Sequence, residues 1–128
     1  MSDQDIIGLL VKGRERFRQI IEIYRKERSE HERMNKPGPY APSVGTLREI
    51  DRILAAAMAF LGALPEKPSQ ACSIGDSREY VEQLLREIGD LLESVMVLDR
   101  EMRAVAGALN SGPVGGARQQ ALRSYART

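Results

Sequence analysis

The sequence predicts an all-α fold: an antiparallel bundle of three main helices, with a short fourth helix that stays mobile unless it docks. Three observations carry this. From Val81 to Leu109, apolar residues recur at alternating spacings of 3 and 4, the repeat that keeps one face of a helix turned toward partner helices. Two earlier stretches, starting at Ile6 and Leu47, repeat the pattern. No stretch shows the period-two alternation of a half-buried strand.

Composition agrees. The 128 residues suit one domain with a real core, and an apolar share of 42% is globular. With four Tyr, two Phe and no Trp, the core must be filled by Leu, Ile, Val, Met and Ala. A net charge of +1 nominates neither nucleic acid nor an acidic substrate. Cys72 is the one cysteine, so no disulfide can form within the chain, and a reducing compartment is the natural reading. Ser2-Asp3-Gln4-Asp5 is acidic and unlike the basic start of a signal peptide. No apolar run approaches the ~18 residues a membrane span needs. The expected location is the cytoplasm.

The first helix is expected over about 3–34. Ser2 caps it, with Asp3 and Asp5 where the helix dipole favours negative charge. Its seam reads Ile6, Leu10, Gly13, Phe17, Ile20, Tyr24, Glu27, His31 and Met34. The apolar content fades after Tyr24, so the last turns project beyond the core or pack at its edge. Pro37, Pro39 and Pro42 forbid continuation, and Gly38 adds turn freedom.

The second helix is expected over about 46–64. Thr46 and Glu49 match a capping box, and Ser43 offers a start one turn earlier. The seam runs through Leu47, Ile50, Leu54, Ala57, Leu61 and Leu64, and Ala55, Ala56, Ala57 and Ala59 keep the helix slender. Pro65 stops it, and Pro68 to Gly75 reads as a loop.

The third helix is expected over about 77–110, capped by Asp76 or Ser77. Its seam is the strongest: Val81, Leu84, Ile88, Leu91, Val95, Leu98, Met102, Val105 and Leu109. Leu85, Leu92 and Ala106 widen it, so it suits a helix with two neighbours. Gly112 and Pro113 close it. Residues 1–110 therefore form the bundle, and residues 111–128 form a flexible hinge and a short basic C-terminal helix. That tail holds Arg118, Arg123 and Arg127 and no acid, with Ala121, Leu122 and Tyr125 on one side.

Catalytic machinery is not evident. His31 is the sole histidine, without a second His or a Cys pair at ligand spacing, and reads as a helix-end residue. Cys72 reads as an inert loop thiol. Glu79, Glu82, Glu87, Asp90, Glu93, Asp99 and Glu101 avoid the seam and read as a solvated face, not a paired-carboxylate or di-metal site. No glycine-rich phosphate loop follows a strand. No metal or cofactor is therefore expected, and no enzymatic activity. Lys12, Arg14, Arg16, Arg18, Arg25, Lys26 and Arg28 make the middle of the first helix basic, but Glu15, Glu22, Glu27, Glu30 and Glu32 interleave with them. That mixed-charge pattern argues against nucleic acid as a partner.

The second helix is too short to cover the whole third-helix seam. Either the first helix covers the rest, or an apolar groove stays open toward the third helix's C-terminal half, which would mark a partner site.

Two stretches point to a family. Leu91-Leu92-Glu93-Ser94-Val95-Met96-Val97-Leu98-Asp99-Arg100-Glu101, followed by Ala117-Arg118-Gln119-Gln120-Ala121-Leu122-Arg123-Ser124-Tyr125, resembles the C-terminal part of FlgN-type flagellar export chaperones. Ile20-Ile21-Glu22-Ile23-Tyr24-Arg25-Lys26-Glu27-Arg28 is similar to that family's first helix. The resemblance implies a cytoplasmic, non-enzymatic chaperone of protein export. It would capture hook–filament junction subunits through its C-terminal helix and hand them to the flagellar export apparatus. The matching client-binding positions are Leu98, Met102, Val105, Leu109, Leu122 and Tyr125. Two rivals make different predictions: a phage or DNA-packaging component using the basic face of the first helix, and an oligomeric structural adaptor whose long seam packs against another copy.

Overall fold

The computed structural model describes residues 1–109, and those residues form an all-α bundle without strands. In chain order the helices are α1 (Asp3–Arg33), α2 (Val44–Gly62), α3 (Pro68–Ala71) and α4 (Gly75–Leu109). The short α3 falls inside the stretch expected to be a loop. The expected hinge and C-terminal helix lie outside the described residues. No helix among the described residues is long and apolar enough to cross a membrane.

The ends of α1 follow from local chemistry. Ser2 and Asp5 form a reciprocal capping box: the Ser2 hydroxyl accepts from Asp5 N–H (3.2 Å), and the Asp5 carboxylate accepts from Ser2 N–H (2.9 Å). At the other end Asn35 takes a left-handed φ of 48°, Asn35 N–H donates to Glu32 O and Lys36 N–H donates to His31 O. That is a Schellman closure with Asn in the usual glycine place. Gly38, at φ 79°, then turns the chain toward α2.

α2 begins earlier than the Thr46–Glu49 box would place it. Ser43 caps it by accepting from Thr46 N–H at 3.2 Å. The Thr46 hydroxyl is engaged elsewhere, donating to Glu27 of α1 at 2.9 Å. α4 begins at Gly75, two residues before the expected start. Neither Asp76 nor Ser77 provides the capping bonds found there. Asp3 of α1 does so from across the bundle: its carboxylate accepts from Ser73 N–H (3.0 Å), the Ser73 hydroxyl (3.1 Å) and Ile74 N–H (3.1 Å).

These contacts fix the topology. Asp3 meets Ser73, Arg14 meets Glu87, and Tyr24 meets Asp99, so α1 and α4 run parallel. Glu27 meets Thr46 and Gly13 meets Leu61, so α2 runs antiparallel to α1. The arrangement is up, down, up. Its central member is α1, which closely approaches both α2 and α4. The wide α4 seam does meet two neighbours, α1 along most of its length and the short α3 near its start. α1 has the length to lie along all of α4, and α2 does not.

Burial follows the seams. Ile6, Leu10, Gly13, Phe17, Ile20 and Tyr24 are the buried face of α1. Leu47, Ile50, Ile53 and Ala57 are that of α2, with Leu54, Leu61 and Leu64 only partly buried. On α4 the buried residues are Val81, Leu84, Ile88, Val95, Met102, Arg103 and Ala106. Cys72, just after α3, closes one end of the core. The two longest seams meet here, and removing their Leu, Ile and Val side chains from water, at roughly 1.5–3 kcal/mol for each fully buried one, drives the assembly.

Candidate functional site

The α4 seam divides by sevens. Val81, Ile88, Val95 and Met102 recur every seven residues and are all buried. Leu91, Leu98 and Val105 recur every seven residues as well, but are only half-buried. The first set points into the bundle. The second lies on its flank, where α4 meets the side of α1 turned away from α2. Arg14 and Arg18 of α1 reach Glu87 of α4 on that same flank, Arg14 at 3.4 Å.

Outside this half-buried row the surface is shallow. Ser94, Val97 and Leu98 form an apolar-to-small strip bracketed by Asp90, Glu93 and Glu101. Val97 is 48% exposed, and neighbouring Met96 is 42% exposed. The strip is therefore an open ledge with an acidic rim, suited to a helix laid along it and too shallow for a small-molecule substrate.

The positions expected to bind a partner separate accordingly. Leu98 and Val105 lie on the flank, half-buried. Met102 is a correction: it is 4% exposed and belongs to the core. Its place in the seven-residue series of Val81, Ile88 and Val95 turns it toward α1. The side chain of Leu109, and all of Leu122 and Tyr125, lie outside the described residues. Val97 was missed because it lies off the seam, and only the direction of the core shows that it faces out.

A second feature escaped the sequence. Asp99, grouped there with the solvated acids, points inward. Its Oδ1 accepts from the Tyr24 hydroxyl (2.7 Å) and its Oδ2 from Arg103 Nε–H (2.9 Å). Arg103 also donates through Nη2 to Asp51 of α2. The chain Tyr24–Asp99–Arg103–Asp51 thus ties all three long helices. Burial works against its charge, but the Asp99 and Asp51 carboxylates more than offset this and hold its pKa above the usual arginine value. Burial first, and the Asp99 bond and charge next, push the Tyr24 phenol well above its ordinary range. Every group has a partner, and the ensemble offers no free acid, base or nucleophile, so it reads as a structural clasp.

The remaining candidates are inert or occupied. Burial, then the nearby Asp3 charge, raises the Cys72 thiol pKa, and its Sγ donates to Pro68 O at 3.5 Å. His31 stacks edge-on against Tyr40 at 5.9 Å. No group of three or more His, Cys, Asp or Glu side chains among the described residues could hold a metal ion. The basic middle of α1 is partly engaged: Arg14 and Arg18 pair with Glu87, and Lys12 Nζ lies 5.6 Å from the Phe60 ring centre. No protein-family model matches this chain, and neither a curated protein nor a solved structure matches it.

Proposed function

We propose that this chain is a non-enzymatic binding protein that holds an amphipathic segment of a client protein along the distal flank of α4. One observation carries the reading: Leu91, Leu98 and Val105 keep heptad spacing yet are only half-buried, beside exposed Val97. Leu91 and Leu98 pack against the edge of the core, and with exposed Met96 and Val97 they make an apolar strip that a partner helix can cover. The Asp90, Glu93 and Glu101 rim favours a client helix with basic residues beside its apolar face. The resemblance to FlgN-type export chaperones narrows the client to hook–filament junction subunits, passed on to the export apparatus in the cytoplasm. The engagement of Arg14 and Arg18 with Glu87 weighs against the nucleic-acid rival.

The test is titration of purified hook–filament junction subunits into the full chain. Val97→Asp and Leu98→Asp are expected to weaken binding at least tenfold, about 1.4 kcal/mol, with helical circular dichroism unchanged for Val97→Asp. Unchanged affinity for both variants would overturn the reading. A concentration-dependent dimer lost in the same variants would favour the adaptor.

A further inference from the structure

We propose that the outer face of α2 is a self-association surface, on which two copies of this chain pair with their α2 helices antiparallel. The make-up of α2 gives the first argument. Residues 53–65 contain no polar side chain, the longest such run in the sequence. A helix packed on one side needs apolar residues only where it meets the core, here at Ile50, Ile53 and Ala57. Ala55, Met58, Ala59 and Gly62 lie on the opposite side of α2 and are exposed, Met58 by 48%. The outer faces of α1 and α4 carry charges in the equivalent place, among them Glu15 and Lys26 on α1 and Glu82 and Arg86 on α4. A contiguous apolar face left open on one edge of a bundle marks a contact surface.

The charges that end the run identify the occupant. Asp51 and Arg52 precede it, Glu66 and Lys67 follow it, and all four are exposed. Arg52 lies as far before Ala59 as Glu66 lies after it, and the same holds for Asp51 and Lys67. Parallel copies would therefore set like charge against like. Antiparallel copies that cross at Ala59 set Arg52 of each against Glu66 of the other, and Asp51 against Lys67. That order is self-complementary about a two-fold axis, as an isologous dimer requires. Ala55, Ala59 and Gly62 present nothing larger than a methyl group, so the two helices can approach to about 8 Å, the close end of helix packing. Met58 is long and adaptable enough to fill the space beside them. Far fewer residues take part than the roughly 20–30 a side of a standard interface, so the dimer is weak and concentration-dependent. The contact uses no residue of α4, and each copy keeps its ledge open.

The test is sedimentation velocity of the full chain over a concentration series. A monomer–dimer equilibrium is expected. Ala59→Arg, on the exposed side of α2, is expected to weaken it at least tenfold, with helical circular dichroism and melting temperature unchanged. Arg52→Glu is expected to weaken it severalfold at low salt, and Arg52→Glu combined with Glu66→Arg to restore it. Val97→Asp on α4 leaves it intact. A chain that stays monomeric into the millimolar range would overturn the proposal. So would a dimer that survives Ala59→Arg, a dimer that Val97→Asp removes, an affinity indifferent to Arg52→Glu, or a loss in Arg52→Glu that the paired swap does not repair. No client enters this experiment, so its failure leaves the client reading standing.

Discussion

Tyr24 on α1 and Asp99 on α4, 75 residues apart in the chain, are joined by a 2.7 Å hydrogen bond, and the same carboxylate holds Arg103. The bond sets the register of two parallel helices at the end of the bundle nearest the candidate ledge. Parallel neighbours are not consecutive in sequence, so no connecting turn fixes their register.

The consequences of breaking this clasp are unequal. Tyr24→Phe removes one donor and keeps the ring, at an expected cost of about 1 kcal/mol. Asp99→Leu leaves a guanidinium whose side chain is 7% exposed with only the exposed Asp51, and the Tyr24 hydroxyl with no acceptor, at up to about 3–5 kcal/mol. Asp51→Ala costs about 1 kcal/mol or less, because that carboxylate is 59% exposed. Urea unfolding midpoints at constant m-value rank the three, and the combined Tyr24→Phe, Asp99→Leu and Arg103→Met variant should recover most of the loss from Asp99→Leu.

Gly13 of α1 packs directly against Leu61 of α2. A Cβ there would sit 3.0 Å from Leu61 Cδ2 and 3.3 Å from Leu61 Cγ. Gly13→Ala presses only on the end of a flexible side chain and gains up to about 1 kcal/mol of helix propensity, so it should be near neutral. Gly13→Val adds two methyl groups at the same point and should lose about 1–3 kcal/mol. Thermal unfolding of both variants checks the closeness of the approach.

Met102 and Val97, five residues apart, should behave oppositely. Met102→Ala empties part of the core and should cost about 2–5 kcal/mol. Val97→Ser, on a residue 48% exposed, should change stability by about 0.5 kcal/mol or less. Chemical denaturation of the two variants decides which faces the core.

Asp3 should make stability depend on acid. The N–H groups of Ser73 and Ile74 hold its carboxyl below the usual range. A depressed carboxylate contributes stability above its unfolded pKa of about 3.9, and that stability is lost as pH falls through the folded value. Asp3→Asn should therefore lower the melting temperature at pH 7, and its difference from the parent chain should begin to narrow below about pH 4 and keep narrowing as the folded carboxyl takes up its proton. A difference that stays constant from pH 7 down through the acid range would show that the charge is not what holds the start of α4.

Cys72, 1% exposed, should be a reporter of unfolding. Reaction with a thiol-specific disulfide reagent is expected to be slow in native buffer and to accelerate in step with loss of helical signal in urea. Fast labelling in native buffer would place the thiol outside the core.

The three long helices, their seams and most of the core were legible in the spacing of apolar residues. Ile6, Leu10, Phe17, Ile20, Val81, Leu84, Ile88 and Val95 lie buried on the faces their spacing marks, because a 3–4 repeat presents one side of a helix whatever it packs against. The tertiary structure alone decided which neighbour each seam meets. It turned Met102 into the core and left Leu98 and Val105 on the flank: spacing separates the two seven-residue rows, and only the packing of α1 decides which row is covered. It drew Asp99 inward, because Tyr24 and Arg103 satisfy its oxygens, and it gave the start of α4 to Asp3. Those contacts join residues about 70 positions apart, and a periodicity read within one helix contains no term for its partner.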